Sequence, residues 1–134
     1  MFQRIEYKDL NSRQKENYNF QKVAGELADF GYNCLRLNDD WQGADFIACH
    51  IDGNRFLKIQ LKGRMTIDSK YLGKDIYIAF LDGDVCYVYP HDTVLNAVLS
   101  LNKINSSRAW TGTKAYSWPR LSKWSRAMLE EYKV

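Results

Sequence analysis

The chain has 134 residues, 19 Lys+Arg against 16 Asp+Glu, a formal charge of +3, and 46% apolar with 14% aromatic residues. That length suits a single domain, 1–134, and can bury a core without disulfide or metal staples. The apolar share, with only two prolines, excludes a disordered or low-complexity chain. No apolar run reaches the roughly 18 residues of a membrane span, and the start has no apolar signal core, so a cytoplasmic protein without a membrane partner is expected.

Asn11 or Ser12 caps a helix expected to run to about Phe30, where Gly31 stops it. Phe20, Val23, Leu27 and Phe30 recur at spacings of three and four and mark one buried stripe. Glu16 lies one turn before Phe20 on that stripe, either at its edge or held inside for a reason. Glu26 is rotated off it and reads as a surface charge.

Tyr32 to Leu37 reads as a first strand and 38–43 as a polar loop. Ala44 to Ile51 and Asn54 to Lys62 read as a second and third strand around the turn pair Asp52-Gly53. Residues 64–74 read as a basic loop carrying Arg64, Lys70 and Lys74. Asp75 to Leu81 and Val85 to Tyr89 form another hairpin, joined at Asp82-Gly83 and ended by Pro90. Asp92 is expected to cap a helix with Val94, Leu95, Val98 and Leu99 on its buried face. Residues 102–118 read as loop, and Pro119 as the opening of a last helix to about Tyr132. Helices at both ends of a strand run predict an α/β (α+β) fold, a central mixed sheet of about five strands flanked by helices.

Cys34, Cys49 and Cys86 are odd in number, widely spaced and in no Cys-x-x-Cys pair. They read as small buried hydrophobes, not as a zinc site or disulfide framework. Charge is uneven. Residues 1–102 hold 12 basic and 14 acidic side chains, whereas 103–134 hold 7 basic and 2 acidic. Against a core of about 10–101, the segment 102–134 is thus a basic extension, interleaved with Trp110, Tyr116, Trp118 and Trp124. Such a pattern can hold a phosphate backbone and stack on bases, Arg120 and Lys123 included; a solvated helix face with core tryptophans gives the same pattern.

The hairpin carries the chemistry. If Asp52-Gly53 is a two-residue turn, Ile51 faces Asn54, and counting back sets Asp45 opposite Gln60. Opposed residues share a face, and so does Lys62, two positions on. Asp45, Lys58, Gln60 and Lys62 then share one face, while Phe46, Ala48, Leu57, Ile59 and Leu61 form the core face. A one-residue slip would spoil this alignment. An Asp and an amide oxygen are hard ligands suited to magnesium. A bound cation polarises a phosphate and lowers the pKa of water, and a nearby lysine neutralises developing charge. A polar face on an exposed hairpin accounts for the same residues without chemistry.

Gly43-Ala44-Asp45, then Ile59-Gln60-Leu61-Lys62, after a helix containing a glutamate, resembles the PD-(D/E)xK nuclease superfamily. The stretch from Leu10 to about Tyr89 is also similar to an uncharacterised bacterial family within it, through residues 11–17, 40–47, 60–64 and 89–92. The resemblance implies a restriction-endonuclease-like sheet whose second and third strands carry the site. It implies Asp45, Gln60 and the Leu61 carbonyl as ligands of Mg2+ or Mn2+, Lys62 as the catalytic lysine, and Glu16 as the helix glutamate. It departs at Gln60, where most members have an acid, and at Ala44, where many have Pro.

The implied activity is metal-dependent hydrolysis of DNA phosphodiester bonds, water attacking in line, with a pair of chains as one expected assembly. The alternative is a weak or inactive nuclease-fold protein that binds nucleic acid or joins a defence or repair complex. Arg64, Lys70, Lys74, Arg120 and Lys123 are the expected nucleic-acid contacts. His50 is expected to face away from Asp45, His91 to cap or pack, Asp39 and Asp40 to form turns, and Trp41 to close the core.

Overall fold

The computed structural model describes residues 1–104 and 115–134; Arg108, Trp110 and Lys114 lie outside them. The first helix, α1 (Ser12–Ala28), opens on a capping box: the Asn11 side chain accepts from Gln14 N–H, and Gln14 accepts from Asn11 N–H, each at 2.9 Å. Val23 and Leu27 are buried, each stabilising the fold by about 1.5–3 kcal/mol. The helix ends at Ala28, earlier than expected, and Phe30 is left 55% exposed beyond it. Gly31, at φ 85°, turns the chain into the sheet.

The strands β1 (Tyr32–Trp41), β2 (Ala44–His50), β3 (Phe56–Leu61), β4 (Met65–Asp68), β5 (Ile76–Asp82), β6 (Val85–Pro90) and β7 (Ala115–Trp118) form two sheets. The main sheet has the order β1-β2-β3-β5-β6, with β3 and β5 parallel and the other neighbours antiparallel. This is the mixed five-stranded sheet with flanking helices expected for the chain. The second helix, α2, spans His91–Ser100, and the third, α3, Lys123–Leu129.

The β2–β3 register is the expected one: Phe46 opposes Ile59, and Ala48 opposes Leu57. The turn differs. The ladder closes at His50 and Arg55, with His50 N–H on Arg55 O at 2.9 Å, around four loop residues, 51–54. Replacing a two-residue turn by a four-residue loop keeps parity, so every side chain stays on its face. Asp52 shapes that loop by accepting from Asn54 N–H, Arg55 N–H and Arg55 Nε. These bonds hold its carboxyl well below the usual range. His50 packs edge-on against Tyr32 and contacts Arg55, away from Asp45 as expected.

Several expected loops are ordered structure. Residues 38–41 continue β1, and the turn is Gln42-Gly43 alone, both at positive φ, as a tight hairpin requires. Trp41 stands 56% exposed and does not close the core. The basic loop 64–74 contains β4, whose Met65 and Ile67 are fully buried, then a 3-10 turn at Ser69–Tyr71. Part of the expected loop 102–118 is β7, paired antiparallel with β4. The β5–β6 turn is Gly83-Asp84, one residue later than expected, since Asp82 opposes Val85. Ser122, not Pro119, precedes the last helix, through a capping box with Ser125. Pro90 precedes α2, and Asp92 instead accepts from Gly73 N–H at 2.9 Å.

Both faces of the main sheet are core. α1 covers Phe46, Ala48, Ile59, Ala79, Cys86 and Val88. On the other face α2, β4 and α3 cover Ile76, Ile78, Phe80, Tyr87 and Tyr89, with Trp118 and Trp124 packed alongside. The face bearing Asp45 and Gln60 is therefore a covered surface, not the open polar face of an isolated hairpin. Of the cysteines only Cys86 is fully buried; Cys34 and Cys49 are half-buried, and all three are free. Burial pushes the Cys34 thiol up to about 11 and the Cys86 thiol up to about 12, so neither is ionised at neutral pH. No helix among the described residues is long and apolar enough to cross a membrane.

Candidate active site

Antiparallel pairing brings the start of β2 and the end of β3 to one end of the sheet. A cavity of about 380 Å³ opens there, lined in part by Glu16, Asp45, Gln60, Leu61 and Lys62. All the residues that the resemblance implied for metal binding and catalysis meet in this one place. Asp45 is half-buried, and its Oδ2 accepts from Leu61 N–H at 2.8 Å. That bond joins β2 to β3 beyond the last backbone pair of the ladder. Burial raises the Asp45 carboxyl above its usual range. The Leu61 N–H, Lys62 and Arg36 oppose that shift, and Asp40 adds to it.

Gln60 Oε1 is buried and has no hydrogen-bond partner. A buried carbonyl oxygen left unpaired costs about 1–3 kcal/mol, and Gln60 is also a residue of the cavity lining, so this oxygen is a donor available to a ligand. Asp45 and Gln60 supply hard oxygen donors of the kind that suit Mg2+ or Mn2+. Glu16 is exposed at the cavity rim, on α1, and belongs to its lining without being held inside. Among the described residues no group of three or more His, Cys, Asp or Glu is placed to hold a metal ion. The residues fit a divalent cation held by few protein oxygens and several waters, which is the habit of magnesium.

Lys62 is half-buried, and its Nζ lies 5.4 Å from the ring centre of Tyr71. Lys70 sits over the same ring at 5.2 Å. Tyr71 is 2% exposed, lies edge-on to His91, and closely abuts Gly43. His91 accepts at Nε2 from Asp68 N–H and pairs through Nδ1 with Asp92 Oδ1 at 2.8 Å, so it packs and braces as expected.

Arg36 was not among the residues read as functional. It lines the cavity, contacts Asn17 Oδ1 at 2.5 Å, and stacks over Phe20 at 5.2 Å. The regular β1–β2 ladder sets it there, opposite Phe46, and an irregularity begins just beyond it. Arg36 opposes Phe46 while Trp41 opposes Ala44, so five steps along β1 match two along β2. The excess folds Asp39 and Asp40 beside Asp45, in a second hollow shared with Arg13 and Glu16. The available signal was a single cation inside the apolar run Leu35-Arg36-Leu37. Tyr71 and Asn19 carried no signal, because nothing local placed them near β3.

Arg64, Lys70 and Lys74 are exposed, as are Arg120 and Lys123, and none of the five lines the cavity around Asp45. Lys70 is drawn toward Asp68 and Tyr71.

No protein-family model matches the sequence, and no curated protein matches it. Among solved structures, a bacterial homing endonuclease is similar with a TM-score of 0.48 and 18% identity, over 63% of this chain and 69% of that one.

Proposed function

We propose that the chain is a metal-dependent phosphodiester hydrolase acting on DNA, of the PD-(D/E)xK kind that its motifs resemble. The observation that carries this reading is the convergence of Asp45, Gln60 and Lys62 on one cavity, with Gln60 Oε1 buried and unpaired. Asp45, Gln60 and the Leu61 carbonyl hold Mg2+ or Mn2+, with Glu16 at the rim. The cation, when bound, neutralises phosphate charge and makes water more acidic. Lys62 places a cation against the phosphate oxygens as charge develops on them. Arg36, held by Asn17 and Phe20, presents a second positive charge at the same opening. Asp45 keeps the β2 and β3 ends in register through Leu61 N–H, so ligand geometry and strand geometry are one constraint.

Supercoiled plasmid incubated with Mg2+ or Mn2+, beside Lys62→Ala, tests the reading. Metal-dependent cutting that disappears in the variant is expected. Relaxed circles before linear product would indicate one strand cut at a time, and direct linearisation would indicate two chains acting together. No cutting by the native protein with either metal overturns the hydrolase. A second reading, a nucleic-acid holder without chemistry, is favoured by the small number of acidic groups at the site among the described residues. It predicts retention of DNA that weakens steeply with salt.

A further inference from the structure

Beside the catalytic cavity lies a second one of about 340 Å³, and the two share Asn19, Lys62 and Gly63. Its far wall is aromatic. Tyr7, in a 3-10 turn at Tyr7–Asp9, meets Tyr18 of α1 edge-on, with ring centres 5.3 Å apart. Tyr7 and Tyr18 are 43% and 36% exposed and belong to neither core cluster. The N-terminal turn is pinned there by Asn19 Nδ2 donating to Tyr7 Oη at 3.1 Å. Lys15 lies over the Tyr7 ring at 5.3 Å and Lys22 over the Tyr18 ring at 5.4 Å. The result is a fixed pair of partly exposed aromatic rings, each with an ammonium over one face, in a cavity that Lys62 also lines.

Resting on the reading of the first cavity as a phosphodiester site, we propose that this second cavity takes an unstacked nucleobase next to the scissile phosphate. The favoured substrate is then single-stranded or locally opened DNA. Three features support this. Aromatic rings interleaved with lysines stack bases while attracting the backbone. Asn19 and Asp84, on the same cavity, offer an amide and a carboxylate to a base edge. Gly63 lines both cavities, and apart from its chain neighbours nothing stands within 4 Å of where its Cβ would be, so the surface they share is open there. In an intact duplex the bases are already stacked and cannot reach the rings, so the platform gains nothing from it.

The test measures binding by fluorescence anisotropy, in chelator to prevent cutting. One probe is a labelled single-stranded oligothymidine. The other is a strand of equal length and charge with abasic sites in its centre. The native protein is expected to favour the base-bearing strand by about tenfold to a hundredfold. Replacing Tyr7 and Tyr18 together by Ala should erase that preference while leaving abasic binding unchanged, and Tyr18→Phe, which keeps both rings and the Asn19–Tyr7 bond, should keep it. Equal binding of both strands by the native protein, or a preference that survives the alanine pair, overturns the inference. The hydrolase reading is judged apart, by plasmid cutting with and without Lys62. Plasmid cutting without base preference sinks only the stacking site, whereas base preference without cutting supports the site and sinks the hydrolase.

Discussion

Gly43→Ala probes how the sheet seats the candidate lysine. Gly43 sits at φ 86° in the β1–β2 turn, where an added side chain costs about 1 kcal/mol for conformation alone. Its Cβ would also stand 3.1 Å from Tyr71 Cδ1 and 3.5 Å from Ile76 Cδ1. Tyr71 is 2% exposed and backed by His91, so it yields only by disturbing a packed core, at about 1–3 kcal/mol. The total is about 2–4 kcal/mol. Gly53→Ala is the matched control. That residue has φ 75° and nothing within 4 Å of the added atom, so only the conformational part applies. Urea unfolding followed by tryptophan fluorescence measures both, with the slope held constant as the check that only stability has changed. Gly43→Ala should lose at least about 1 kcal/mol more than Gly53→Ala. Equal losses would refute the contact with Tyr71 and, with it, the account of how Lys62 is held.

Three further outcomes are expected. The fold raises the Asp45 carboxyl, so its contribution to stability is fully present below the unfolded value near 3.8 and is lost as pH rises through the higher folded value. Asp45→Asn should therefore raise the urea midpoint at pH 7, with the gap closing as pH falls toward 3, and it should abolish any thermal stabilisation by Mg2+; a variant less stable than native at pH 7 would contradict this. Gln60→Glu places a charge where an uncharged oxygen is already unpaired, so the metal-free protein should unfold earlier while Mg2+ binds more tightly, as read by thermal shift with and without metal. His91→Phe keeps the ring against Tyr71 but leaves Asp68 N–H unpaired, and should cost about 1–3 kcal/mol in urea unfolding without moving the metal response.

What could be read from the chain and what could not separate along physical lines. The alternation of β2 and β3 assigned Asp45 and Gln60 to one face. That assignment survived an error in the turn, because the real loop changes length by an even number. The start of α1 was legible through Asn11, as a local cap acts within a few residues, whereas its end came at Ala28, short of Phe30. Arg36 was not legible, since its place opposite Phe46 and against Phe20 and Asn17 of α1 is fixed only when β1 pairs with β2 and packs on the helix. Nor was β4, although Met65 and Ile67 alternate with Thr66 and Asp68. Four residues are too few to form a strand alone, and the partner, β7, lies far along the chain.

The sequence by itself therefore determined the local periods, the cap of α1, and the face on which each polar residue of the hairpin lies, all consequences of backbone geometry over a few residues. Only the tertiary structure decided that this face is covered by a second sheet and α2, which buries Gln60 Oε1 and raises Asp45. It also set Tyr71 beneath Lys62, and brought Arg36 to the cavity at Asp45 and the tyrosine pair to the cavity beside it. Those relations depend on long-range packing and desolvation, which arise only when distant segments share one core.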